Sequence, residues 1–350
     1  MKKLLLFVTM LASLLATVTA TAQTSGNRAA LLQSSRNMVM NSTDGQRQYY
    51  IVNSQQRYTV HRLNDSLVIG SDTLSKAGIA SLRFQTIERF AVDEESSELG
   101  LDGNVEGGLL AFRRSMNIGR WNTITLPFSL SAKQVRDAFG ADVLVARPTS
   151  VGESDAATLE FALVTPVNDR DVMIEGGKPY LIRPTREPDI AEGASTTTAY
   201  GSRRIAGPVY LVDRVCVGNS DPKTVAVTTL RSSSRDTNVR LFGSFTASSV
   251  EPTLRPMYIL NDEGRFALTE EKTPINGFRT WIEVTKNTGE LPVRFFINGI
   301  EEDLTQPTDI KDVERETTSN HRFYDLQGRR LGSRPRSGIY VVNGKKVVIR

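Results

Sequence analysis

From about residue 105 to residue 299 the chain repeats one pattern, in which apolar segments of four to eight residues alternate with clusters of Gly, Pro, Asn and Asp. The segments lie at residues 121–128, 159–164, 179–182, 209–217, 224–229, 239–245, 257–260 and 293–297. They are short for helices, rich in β-branched and aromatic residues, and bounded by turn formers, so they predict strands. Strands at this spacing predict a β-sandwich over residues 105–300. Residues 258–268 read as a hairpin, because Asn261, Asp262 and Gly264 tolerate the positive φ of a tight reversal.

One helix interrupts the strands. Ser131 stands three residues before Gln134, the spacing of a capping box, and Val135, Ala138 and Phe139 share one helical face. Gly140 supplies a left-handed stop. The apolar face predicts a short helix docked on the sandwich.

The amino terminus is a different kind of segment. Lys2 and Lys3 precede an apolar stretch from Leu4 to about Val18, which ends in Ala20-Thr21-Ala22 before Gln23. A basic start, an apolar middle and a small-x-small ending are the parts of a secretory signal peptide, here residues 1–22. The stretch is shorter than the roughly 20 apolar residues of a spanning helix. No other stretch has that length and apolarity, so no transmembrane helix is expected in the mature chain. Residues 23–45 are polar and read as a flexible lead-in. Residues 46–92 hold short β-type runs at 49–52, 57–61, 66–69 and 81–84 and predict a small β module. The acidic, Gly-containing stretch 93–104 reads as a linker, as does 301–320, where seven acids face two bases. In the final segment, 321–350, Asn343-Gly344 between two Val/Ile-rich runs is a strong hairpin signal.

The ending Tyr324-Asp325-Leu326-Gln327-Gly328-Arg329, then Gly338-Ile339-Tyr340-Val341-Val342, then Asn343-Gly344-Lys345-Lys346-Val347-Val348-Ile349-Arg350, resembles the C-terminal sorting domain of Bacteroidota proteins exported by the type IX secretion system. The resemblance implies an immunoglobulin-like β tail recognised at the outer membrane. The implied partners are the secretion translocon and its sortase-like peptidase, and the implied address is the cell surface or the medium, reached through the periplasm. The matching residues are fewer than the family's domain usually holds, so either strands from residues 291–300 complete the tail or it is a shortened relative. The larger region resembles surface β-domains of the same group at residues 121–128, 176–182 and 275–281, and residues 71–74 with 79–84 resemble a small amino-terminal module found there. That group has no shared activity to carry over.

Chemistry is sparse. One Cys and two His exclude a disulfide framework within the chain and a Cys-rich zinc module. Cys216 lies in an alternating run and reads as a small apolar strand residue, and His61 as a surface or edge residue of the first module. His321 lies in the tail, so no Ser-His-Asp constellation forms in sequence, and no Gly-x-Ser-x-Gly turn, phosphate-binding loop or dinucleotide fingerprint occurs. Glu160, Asp169, Asp171 and Glu175 are the carboxylates from which a glycosidase pair would be drawn, and the 168–171 cluster reads more naturally as a solvated turn. Trp121, Trp281 and Tyr180, with Tyr258, are candidates for stacking on a glycan, against the simpler reading that they pack the core. Basic pairs are dispersed and the formal charge is only +4, which disfavours nucleic acid.

These residues predict an all-β chain: a small N-terminal module, a central sandwich with one short helix, and a C-terminal hairpin that serves as a sorting tail. The expected function is a non-enzymatic, exported binding, adhesion or structural protein without a cofactor. The alternative is a secreted hydrolase acting on glycans or peptides.

Overall fold

The computed structural model describes residues 35–304, except 53–59, 64, 70–71, 102, 154–156, 192–197, 201–202, 220, 222–225, 234–236, 253–256, 270 and 287–292, together with Arg28, Leu32 and residues 323–324, 338–342 and 345–349. The protein is all-β, with the predicted helix at Ala132–Phe139 (α1). It divides into two compact units, Met1–Gln306 and Pro307–Arg350.

The first unit is a stack of sheets whose order can be read from strand sequence. Leu109-Leu110-Ala111-Phe112 and Val209-Tyr210-Leu211-Val212 are apolar at every position and buried at every position. A strand of that kind needs a partner layer on each face. They are the core of a three-stranded sheet made of β7 (Arg89–Asp93), β8 (Val105–Arg113) and Val209–Val217, with β7 and β8 parallel. Leu110, Phe112, Tyr210 and Val212 join one core with Val135, Ala138 and Phe139 of α1. Leu109, Ala111, Val209 and Leu211 join another with Ile51 and Leu32.

A six-stranded sheet forms the middle layer, running from Ile300–Glu302 through Val293–Ile297, Ala157–Leu163, Leu144–Glu153 and Pro179–Arg183 to Asn122–Thr125. Its Ile124, Val145, Tyr180 and Ile182 face the α1 core, whereas Ala146, Leu159, Phe161 and Leu181 meet Val239, Leu241, Ile282 and Val284 of a five-stranded sheet. The expected two-layer sandwich is therefore a stack of more than two layers. Alternation shows which sheet has only one covered face: Thr237–Gly243 reads buried, intermediate, buried along its length.

The helix begins as expected. Ser131 Oγ accepts from the Gln134 amide at 3.3 Å, and Gln134 Oε1 accepts from the Ser131 amide at 2.8 Å. Such a cap contributes about 1 kcal/mol. Gln134 Nε2 also donates to the Asp213 carbonyl, which ties the helix to the neighbouring sheet. Gly140 departs from the expected left-handed stop: φ is 114° and ψ is 151°, and a Cβ there would meet Thr185 Oγ1 at 2.2 Å. Close approach of the Thr185 segment, as well as backbone conformation, accounts for this glycine.

Three boundaries read from composition need correction. Arg36–Ser42 (β1), inside the stretch read as a flexible lead-in, is the central strand of a sheet ordered β2 (Arg47–Val52), β1, β6 (Ile79–Thr86). Its Val39 has no exposure. The alternating apolar residues Met38 and Met40 were hidden by polar neighbours, and burial on both faces of β1 outweighs that composition. A second sheet, β3 (Val60–Leu63), β4 (Ser66–Ile69) and β5 (Asp72–Ser75), covers Met38, Met40 and Tyr50. The acidic stretch after β7 is also packed rather than a linker, because Glu94 and Leu101 are buried. Finally, Val293–Ile297 pairs in parallel with Ala157–Leu163 inside the first unit, and the packed body continues to the buried Leu304. The strands Val293–Ile297 and Ile300–Glu302 thus belong to the first unit and do not complete the tail.

The second unit carries a three-stranded antiparallel sheet of Phe323–Tyr324, Gly338–Val342 and Lys345–Ile349. Val342 pairs with Lys345, so the two strands flank residues 343–344 as a hairpin register requires.

Candidate functional site

The interior charges are the first place to look for chemistry, since an ion buried without a structural task often marks a site. Asp189, whose side chain has no exposure, accepts from Arg28 Nη1 at 2.8 and 2.7 Å, from the Leu211 amide at 2.8 Å, and from Arg186 Nη2. Arg186 Nη1 donates in turn to the carbonyls of Asp137 and Ala138 at the end of α1. Glu94 accepts from the Ser115 amide at 2.7 Å and pairs with Arg279 at 3.1 Å. Arg114 is fully buried, and donates to the carbonyls of Thr123 and Phe278. Burial, then the nearby Arg279, pushes the Arg114 pKa down to about 9, with Glu94 and Tyr210 opposing. Each of these ions is enclosed by packed backbone and serves to join layers.

Each of the carboxylates considered for glycoside hydrolysis already has a structural partner. Glu160 accepts from the Gly299 amide at 2.7 Å, Asp169 pairs with Arg136 at 2.8 Å, and Glu175 pairs with Lys178 at 2.8 Å. Asp171 accepts from the amides of Val167 and Asn168, and these bonds hold its carboxyl below the usual carboxylate range. That cluster is the turn its sequence suggests. Among the described residues no group of three or more His, Cys, Asp or Glu is placed to hold a metal ion.

The aromatic candidates for glycan contact are corrected by burial. Trp121, Tyr180, Tyr258 and Trp281 are all buried, with Trp281 stacked on Phe242 at 5.3 Å. They lie within the cores of the layers, Tyr180, Tyr258 and Trp281 on strands and Trp121 directly before Asn122–Thr125, where ring area is worth more in packing than in water. Cys216 also differs from expectation: it lies on the exposed side of its strand, where Sγ accepts from the Gly107 amide at 3.4 Å. Desolvation, with Glu106 and Asp221 adding to it, pushes its thiol up, the wrong direction for a nucleophile. His61 lies in β3, opposite Val68.

Of the residues read as a sorting signal, Tyr324, Gly338, Ile339, Tyr340, Val341, Lys345, Lys346 and Val348 lie in the three strands of the second unit. Asp325, Leu326, Gly328, Asn343, Gly344 and Arg350 lie outside the described residues, as do Ala20, Ala22 and Gln23 and residue His321.

What sequence reading missed is the edge at β6. Its residues from Ala80 to Phe84 are exposed in succession. β6 pairs only with β1 among the described residues. Met38 lies opposite Phe84 and Met40 opposite Leu82, so Leu82 and Phe84 continue the apolar face of β1. The sheet that covers Met38 and Met40 stops short of them: Leu82 is 42% exposed and Phe84 64% exposed. Arg83 projects to the other face of the same edge. The signal was present as Leu-Arg-Phe, an apolar pair split by a charge, which is how edge strands are written.

Compared with family models, curated proteins and solved structures, the chain matches none.

Proposed function

We propose that the protein is an exported, non-enzymatic β-protein that works by binding at the cell surface, as an adhesion or structural module, and that its last residues are the label by which it is delivered. The observation that carries the reading is the division of the chain. The packed layers close at Leu304, and the residues from Pro307 onward form a compact unit of their own. A label read by a secretion translocon, and removed by a peptidase, has to be separable from its cargo. The hairpin register around residues 343–344 fits the strand-forming tail that the sequence suggests.

Binding rather than hydrolysis is supported by the partners of Glu160, Asp169, Asp171 and Glu175, which are backbone amides, Arg136 and Lys178. Among the described residues, no helix is long and apolar enough to cross a membrane, which fits a cargo. The test is expression of the chain in a Bacteroidota host with and without residues 321–350, followed by cell fractionation. The full chain is expected at the surface or in the medium and the shortened chain in the periplasm. Equal surface yield from both overturns the delivery role.

A further inference from the structure

The exposed edge of β6 combines three features that single-handedly would mean little. Its backbone is unpaired on one side among the described residues, so N–H and C=O groups stand ready for an added strand. Leu82 and Phe84 extend an apolar row past the sheet that covers the rest of it. Between them Arg83, exposed and without a carboxylate partner among the described residues, stands on the opposite face. Arg89, just past the strand, is likewise exposed and without an ion pair among the described residues, and Glu88 is the acid nearest in sequence.

We infer that β6 is a docking edge for an extended peptide segment of a partner protein in which apolar residues alternate with acidic ones. Added as a neighbour of β6, such a strand completes its backbone hydrogen bonds and lays its apolar residues over Leu82 and Phe84. It also places a carboxylate beside Arg83, since directly opposed residues lie about 5 Å apart between Cβ atoms. The charge decides between this occupant and a second copy of the chain. In an antiparallel pair of β6 edges, the register that sets Leu82 against Phe84 also sets Arg83 against Arg83, and like charges directly opposed are unfavourable. Two apolar side chains from each copy also fall far short of the roughly 1,200 Å² of a stable interface. An acidic partner turns the same arginine into an attraction and needs no large area to act as a reversible ligand. This inference rests on the binding reading above and names the class of partner.

The test uses the full chain and a fluorescein-labelled peptide that alternates valine with glutamate over about eight residues, the length of β6. A second peptide has lysine in place of glutamate. Fluorescence anisotropy is expected to show binding of the glutamate peptide, a loss of about tenfold or more in Arg83→Glu, and a gain for the lysine peptide in that variant. Arg83→Gln is expected to lie between. Arg83 is exposed and has no ion pair among the described residues, so urea midpoints of both variants should match that of the parent and separate recognition from folding. Absence of binding, or equal binding of both peptides by the parent and Arg83→Glu, overturns the inference. So does sedimentation showing a dimer that excludes the peptide. A chain that ignores the peptide yet needs residues 321–350 for export loses this inference and keeps its proposed delivery role. A chain that binds the peptide but is exported without its tail does the reverse.

Discussion

Replacing Arg114 by methionine is expected to lower the stability of the first unit by about 3–5 kcal/mol. Methionine keeps most of the length and volume, so the loss is one of hydrogen bonds and charge rather than of packing. The guanidinium is fully buried and donates to two carbonyls, Thr123 in the six-stranded sheet and Phe278 in the loop that precedes Thr280–Lys286. Its own backbone amide bonds to the Pro208 carbonyl at 3.1 Å. Phe278 stands at φ 60°, a left-handed conformation that costs a non-glycine residue about 1 kcal/mol, and its carbonyl also accepts from the Thr125 amide at 3.0 Å. Arg114 therefore clamps a strained residue to the edge of the middle sheet.

Two effects compete in the substitution. Removing a buried cation relieves a desolvation penalty, which is why the Arg114 pKa is pushed down. It also strands a buried carbonyl and leaves Glu94 with Arg279 as its remaining cation, at 3.1 Å. When both partners of a buried ion pair are replaced together the first effect can win. Backbone carbonyls cannot be replaced, so the second should win here. A shift of the urea midpoint to lower concentration with an unchanged slope is the expected readout. An unchanged midpoint would show that water satisfies the carbonyls without the arginine.

The second large effect is expected at Asp189. Asp189→Asn preserves shape but withdraws the charge that Arg28 and Arg186 share, and an amide cannot accept from both guanidiniums and the Leu211 amide as a carboxylate does. Loss of one partner from a buried ion pair is worth about 3–5 kcal/mol. Both arginine side chains retain 23% exposure and can recover some hydration, so the expected loss is at the lower end, about 3 kcal/mol. A specific consequence follows for the chain start. Arg28 holds its segment to the body through Asp189 and the Leu211 carbonyl, so the variant should be cut by trypsin after Arg28 at lower protease concentration than the parent. Unchanged cleavage together with an unchanged melt would contradict the anchoring role.

How far the fold was legible depended on whether a segment's own residues decide its structure. The helix at Ala132–Phe139 was readable because its cap, its apolar face and its stop are all local. So were Val209–Val217, Met257–Leu260 and Val293–Ile297, whose apolar runs match the strands residue for residue. The strand Arg36–Ser42 was not, because Asn37, Asn41 and Ser42 make its composition look like a tail. Asn37 is buried only because its Nδ2 finds the Gly107 carbonyl at 2.6 Å across 70 positions of sequence. Glu94 was misread for the same reason: an acid reads as solvated unless Arg279, 185 positions away, is known to meet it. Layer order was also out of reach, since a continuous apolar run announces that both faces are covered without naming what covers them. Among functional residues, the ring candidates Trp121, Trp281 and Tyr180 were drawn from strands, where burial is the commoner fate. The exposed Leu82 and Phe84 were passed over as ordinary members of a small module, because edge position is a property of topology rather than of a strand's sequence.

Transplanting the tail is the most direct measurement of whether this protein is a packed scaffold with a detachable address. Residues 307–350 fused to the C-terminus of an unrelated, signal-peptide-bearing passenger in a Bacteroidota host should carry that passenger to the cell surface or the medium. Retention of the fusion in the periplasm, while the intact protein is exported by the same cells, would contradict the delivery role and move the address into the layered body.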